Sequence, residues 1–310
     1  MKTQESAQHF PKTRGSFRLK EPITLGLIVI CYVFWAALAA WPGGPVWLVA
    51  PLMVLLTTLH SSLQHEALHG HPTSSRWANE VLVGLPIGLY IPYQRFRDQH
   101  LAHHRDETLT DPYDDPESNF LSQRQWQNLP RVVRLVCLLD RSLFGRMIVG
   151  PLTGLAVFYW QDAKLIWRGD KSVRRAYAWH LIGMVPVLWF ILTQSSFGIW
   201  THLAIAYAGL SVLRIRTFLE HRAAQDPAAR TVVINDRGIL AFLFLNNNFH
   251  AVHHANPTVA WYKLPRLFDA QQDQVLQRNG GYYYKSYWQI IRYFLFRSKD
   301  PVVHPYMRRS

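Results

Sequence analysis

Residues Ile23 to Trp41, ITLGLIVICYVFWAALAAW, run for nineteen positions without a charged side chain. A segment in hydrocarbon must satisfy its own backbone N–H and C=O groups, and a helix of about twenty apolar residues does so while crossing a bilayer core. The stretch therefore predicts a membrane-spanning helix. WPGGP at 41–45 predicts a turn by its proline and glycine content, and Val46 to about Leu63 supplies a second uncharged run. Together the two runs predict a helical hairpin.

The pattern returns downstream, where Tyr177–Thr193 and Phe197–Leu213 predict a second hairpin around the uncharged turn TQSSFG. Val81 to Tyr93 is apolar but too short, and too broken by Pro86, Gly88 and Pro92, to span; it reads as interfacial or re-entrant. Phe144–Trp160, carrying Gly145, Gly150, Pro151 and Gly154, reads as interfacial too. The expected fold is all-α and integral to a membrane: about four transmembrane helices in two hairpins, interfacial helices, and a cytoplasmic histidine-rich helical cap. Residues 1–22 form an expected cytoplasmic tail, 23–260 the membrane domain and 261–310 a cytoplasmic C-terminal tail.

Charge sets the expected orientation. Lys12, Arg14, Arg18 and Lys20 precede the first span, and Lys164, Arg168, Lys171, Arg174 and Arg175 precede the third, whereas both hairpin turns are uncharged. Basic residues near span ends favour the cytoplasm, so both termini and the site described next are expected there, in a bacterial inner membrane. The net charge of +13 is accounted for by this bias and by anionic headgroups, and no nucleic-acid partner is expected. The polar, basic first twenty residues do not read as a cleavable signal peptide. Cys31 and Cys137 lie far apart and suggest neither a disulfide framework nor a thiolate site.

Eight histidines fall into three short groups: His65 and His69 in HEALH, His100, His103 and His104 in HLAHH, and His250, His253 and His254 in HAVHH. On a helix, positions three and four apart share a face, so each group can aim two or three imidazoles at one point. Imidazole suits iron, zinc, copper or nickel. One structural zinc is satisfied by four ligands, and eight clustered histidines point to two ions. His221, in FLEH at the end of the fourth span, is a ninth candidate ligand. His60 and His71 read as outer or surface residues, and His180 and His202 as packing. Glu66, Asp98, Asp106, Glu220 and Asn247 are candidates for orienting the ligands, because metal-bound histidines commonly donate their other N–H to a carboxylate or similar acceptor.

The three groups, of the form HxxxH, HxxHH and HxxHH, resemble those of the membrane fatty-acid desaturase and hydroxylase superfamily, over about residues 45–265. The resemblance implies a non-haem centre of two iron ions, held by His65, His69, His100, His103, His104, His250, His253 and His254, that activates O2 against unactivated C–H bonds of a lipid. FLEH is similar to an additional motif of alkane hydroxylases and supports His221. HAVHH followed by NPTVAWYKLP also looks like bacterial carotenoid ketolases and hydroxylases, and desaturases often carry Gln where His250 stands. Fatty-acyl desaturation is the leading expectation, with alkyl or fatty-acid hydroxylation, or carotenoid oxygenation, as alternatives. No fused haem motif of the HPGG type is present, so electrons are expected from a separate ferredoxin or cytochrome. A metal-handling transporter is the competing non-enzymatic class; it would place polar groups at span midpoints, and the first span has none. A haem protein would need only one or two axial histidines.

Overall fold

The computed structural model describes residues 18–104 and 108–307. Most of the expected N-terminal tail lies outside these residues. The chain is an all-α integral membrane protein. Helix α1 (Pro22–Ala39) starts on Pro22, with the Glu21 carboxylate accepting the Thr24 N–H at 2.9 Å; proline at the first turn loses no hydrogen bond and the cap satisfies an orphan donor. The WPGGP turn uses Gly43 at φ +71°, the left-handed region that suits glycine, and leads into α2 (Val46–Leu68). There follow α3 (Arg76–Leu82), an irregular stretch over 83–92, α4 (Tyr93–His103), and the short helices α5 (Gln123–Asn128) and α6 (Arg131–Leu139). Three long helices come next: α7 (Leu143–Trp167), α8 (Lys171–Thr193) and α9 (Ile199–Thr217).

Among the described residues, four helices, α1, α2, α7 and α8, are long and apolar enough to cross a membrane. Contacts at the helix ends relate α1 to the two ends of the bundle. The start of α1 lies at the histidine end, where Thr24 accepts the Trp261 indole N–H. At the other end Ala39 accepts the Ser196 N–H from the turn between α8 and α9. Thus α1 joins the two ends and α8 and α9 meet at the far one; α1, α2 and α8 are spans that the sequence reading expects, α7, read as interfacial, is long and apolar enough to be one, and α9 falls below them in hydropathy. His202, Arg214 and Arg216 lower the hydropathy of α9, but His202 and Arg216 are buried in the bundle.

Helix α7 behaves otherwise. Near its start Phe144 N–H donates to Leu295 and Arg146 stacks on Phe218, just past α9. Toward its other end Asp162 takes a buried two-pronged contact, 2.7–3.0 Å, from Arg95 of α4. Both ends therefore sit in the histidine half, although the helix is a continuous 25 residues, longer than the apolar run that the sequence marked. Nor do α8 and α9 pack as an isolated pair: α9 lies chiefly against α2 and α7, and Thr58 of α2 donates to the Gly209 carbonyl at 3.2 Å.

Beyond α9, β1 (Val233–Ile234) precedes α10 (Ile239–Leu243) and α11 (His250–Ala255), and α12 (Leu264–Arg278), β2 (Tyr283–Tyr284) and α13 (Tyr287–Phe294) complete the elements. β1 and β2 pair in parallel, Val233 opposite Tyr283. The stretch from 261, expected as a tail, packs onto the site end: Tyr287 and Ile290 join the main apolar core, and Lys299 donates to the Phe218 and His221 carbonyls.

An added Cβ at Gly209 would stand 3.1 Å from Thr57 Cγ2 on α2, whereas at Gly26 nothing lies within 4 Å. Overpacking of this kind costs about 1–3 kcal/mol. Gly209→Val is expected to lower the thermal midpoint of the detergent-solubilised protein, and Gly26→Ala to leave it unchanged or raise it.

Candidate metal centre

Three helices and one isolated β-bridge, His221 opposite Thr231, carry the clustered histidines. α2 carries His65 and is capped by His69, and α4 carries His100 and His103 and is capped by His104. α11 carries His250, His253 and His254, and His221 follows α9. The turn that aims α11 holds Leu245 and Asn246 at φ +49° and +54°. This conformation is costly for leucine, and Leu245 is buried in the core while it adopts it.

The nine histidines resolve into two groups. One contains His65, His69, His100, His104 and His253, the other His103, His221, His250 and His254; within each group, one ligating atom per residue lies within 4.8 Å of the rest. The groups adjoin, with His104 stacked on His254 at 4.3 Å between ring centroids. Facing Nε2 atoms are 2.8 Å apart for His103 and His221, 3.0 Å for His100 and His104, 3.0 Å for His221 and His250, 3.1 Å for His250 and His254, and 3.3 Å for His104 and His253. Nitrogens about 2.0–2.1 Å from a shared first-row ion lie about 2.8–3.4 Å apart in octahedral or tetrahedral geometry, so the spacing is that of coordination edges. Nε2 of His65 and of His69 are buried and find no hydrogen-bond partner in the protein. This donor set fits two transition-metal ions, one per group.

Several outer ring nitrogens face acceptors, while Nδ1 of His221 is buried without a hydrogen-bond partner among the described residues. His103 Nδ1 lies 2.8 Å from Asp115, and His100 Nδ1 3.1 Å from Glu117. Asp115 is itself fixed by the Thr110 and Glu117 N–H groups. His250 Nδ1 reaches Asn247 Oδ1 at 3.3 Å, Asn247 donates to Glu220 at 2.8 Å, and Arg216 ion-pairs with Glu220 at 3.0 Å. Glu66 stands 3.8 Å from His65 Nδ1 and also accepts the Trp261 N–H.

Two expected orienting carboxylates differ from this arrangement. Asp98 hydrogen-bonds Arg97 at 2.7 Å, not a cluster histidine, because residues two apart on a helix do not share a face and Asp98 points away from the His100 side. Asp106 lies outside the described residues. Asp115 and Glu117 take the role instead; they belong to a polar stretch after α4, and only its fold over α4 reveals them. His60 and His71 are both buried, which excludes a surface position; His60 contacts Tyr32 at 2.8 Å and His71 the Thr258 carbonyl at 3.0 Å. His180 and His202 bond Leu89 and Ser195, away from the groups.

Burial, with neighbouring histidines, pushes the pKa of His69, His100, His104, His221, His250, His253 and His254 well below the usual value of 6.5. Neutral imidazole is the ligating form. Burial also opposes charge on His103, but Glu117 and Asp115 outweigh it and push its pKa up to about 9.

The family model described as fatty acid desaturase matches residues 45–288, most of the chain. No curated protein matches it.

Outer acceptors of metal-bound histidines typically contribute 10–100-fold in metal affinity. Asp115→Asn and Glu117→Gln are each expected to weaken metal retention by about that factor, measured by competition with a chelator, while Asp98→Asn has little effect. In chelator-treated protein, histidines whose pKa is depressed by folding bind more protons when unfolded, so stability should fall as pH drops through and below 6.5. His103 opposes this, its contribution being full below 6.5 and lost as pH rises through about 9. Glu117, whose carboxyl burial pushes up to about 7, opposes it as well; seven residues against two still make acid destabilisation the expected result of melting curves.

Proposed function

The chain belongs to the fatty acid desaturase family, and from that premise we propose that it is an O2-dependent membrane oxidoreductase with two non-haem iron ions, acting on unactivated C–H bonds of a lipid hydrocarbon chain. Fatty-acyl desaturation is the favoured reaction. The observation that carries the reading is the division of nine histidines, most of them buried, into adjoining groups of five and four. Two iron ions bound there would supply the redox chemistry with O2.

The residues around the groups have separable tasks. Asp115 and Glu117 orient His103 and His100, and the chain of Arg216, Glu220 and Asn247 orients His250. An acceptor on the outer nitrogen fixes the tautomer and turns Nε2 toward the metal. The apolar segments beneath exclude water from the reacting carbon. Whether one or two hydrogens are removed depends on how firmly neighbouring C–H bonds are held; hydroxylation of the same chain is the second reading, favoured by His221 standing within the four-histidine group.

Electrons come from a separate carrier, a ferredoxin or cytochrome whose acidic surface meets the basic side of the protein. The site faces the cytoplasm, on the side of Lys164, Arg168, Lys171, Arg174 and Arg175. Purified protein should hold about two irons per chain, the number that two imidazole groups accommodate, and consume O2 only with a reductant and a lipid substrate. A single zinc, or a bound haem, would refute the reading. His65→Ala and His250→Ala are each expected to abolish new unsaturated or hydroxylated lipids in an expressing host, scored by lipid profiling.

A further inference from the structure

Two cavities flank the irregular stretch 83–92 between α3 and α4. The outer one, about 320 Å³, lies between Trp77, Val81 and Leu85 on one side and Trp179 and Ile182 of α8 on the other. Val81, Trp179 and Ile182 are more than half exposed, so the groove opens on the apolar flank of the bundle. The inner one, about 90 Å³, lies between α2 and α9 and includes Thr57, Ser61, Gln64, Phe96 and Ala206. Pro86 lines both.

None of the nine clustered histidines lines the inner cavity, but two of its lining residues adjoin the group of five. Phe96 packs on His100 at 5.7 Å between centroids, and Gln64 immediately precedes His65. Both histidines belong to the group of five. The stretch that borders both cavities is held in place: Tyr32 donates to the Leu85 carbonyl at 3.1 Å, His180 to Leu89 at 3.0 Å and Gln64 to Val83 at 3.3 Å, while Tyr90 donates to Leu203 of α9 at 3.0 Å.

On the functional reading above, we propose that an unbranched hydrocarbon chain enters from the bilayer along the outer groove, passes Pro86, and presents a run of methylenes in the inner cavity, where Phe96 sets their distance from the five-histidine group. Size selects the chemistry. An apolar cavity of roughly 150 Å³ admits benzene; the inner cavity, at about 90 Å³, takes a linear chain and not the cyclic end group of a carotenoid. Ala206 is the residue at which the cavity is most simply filled, since a leucine there adds carbon directly to the space while leaving every histidine untouched.

The test uses the full chain in lipid nanodiscs with palmitic acid probes that carry a diazirine at successive chain positions, followed by photolysis and peptide mapping. Probes are expected to label the outer segments 77–94 and 176–183, and at some chain position the inner segments 57–64 and 206–213. Ala206→Leu should lower inner labelling about tenfold, the effect of overpacking a contact by ~1.4 kcal/mol, while outer labelling and iron content persist. Ile182→Trp, on an exposed position that folding does not depend on, should lower both. Failure of every probe to label the inner segments, or labelling indifferent to both variants, would overturn the proposal. Substrate-dependent O2 uptake in the same preparations separates the two readings: labelling as described without uptake removes the oxidoreductase and leaves the binding path, and uptake with labelling elsewhere removes the path.

Discussion

Nine imidazoles packed into one interior can stay there only if most are neutral and their outer nitrogens have somewhere to donate. Burying a charged imidazole without a partner is expensive, and burying an unpaired N–H also costs. Much of the histidine end of the molecule is explained by meeting those two demands. The stretch 108–122 folds over α4 so that Asp115 and Glu117 reach His103 and His100. The chain beyond α9 turns so that Glu220 and Asn247 meet beside His250.

The apolar bundle makes this convergence possible by fixing where its helices end. α2 and α9 approach closely because Gly209 presents no side chain to Thr57, which brings the ends carrying His65 and His221 to the same level. Arg95 and Asp162 tie α4 to α7 in a buried ion pair. Removing one partner of such a pair is far costlier than the pair's net contribution, so it acts as a register device that holds the second histidine cluster against the first. The stretch 83–92 is irregular backbone among long apolar helices, a conformation tolerated there because its carbonyls find partners within the protein.

Local signals were legible wherever the physics is local. An uncharged run of nineteen residues has few solutions other than a span, and histidines three and four apart on a helix share a face, so α1, α2 and all three clusters follow from spacing. Asp98 illustrates the limit of adjacency: two residues from His100, it sits on another face and pairs with Arg97. Asp115 and Glu117, far more distant along the chain, orient the histidines because a loop brings them there. Hydropathy alone likewise places α7 among the spans and omits α9, since it counts the charges of Arg214 and Arg216 without knowing that Arg216 is buried against Glu220.

The sequence by itself determined the membrane class, the first helical hairpin and the three histidine clusters, because apolar run length and helical periodicity are properties of neighbours along the chain. Only the tertiary structure decided which histidines share a group, which carboxylates orient them, and that Phe96, packed on His100 of the group of five, also lines a narrow cavity between α2 and α9. Each of those depends on the relative placement of helix ends separated by tens to hundreds of residues. That placement is set by packing and by buried polar pairing, which no local window contains.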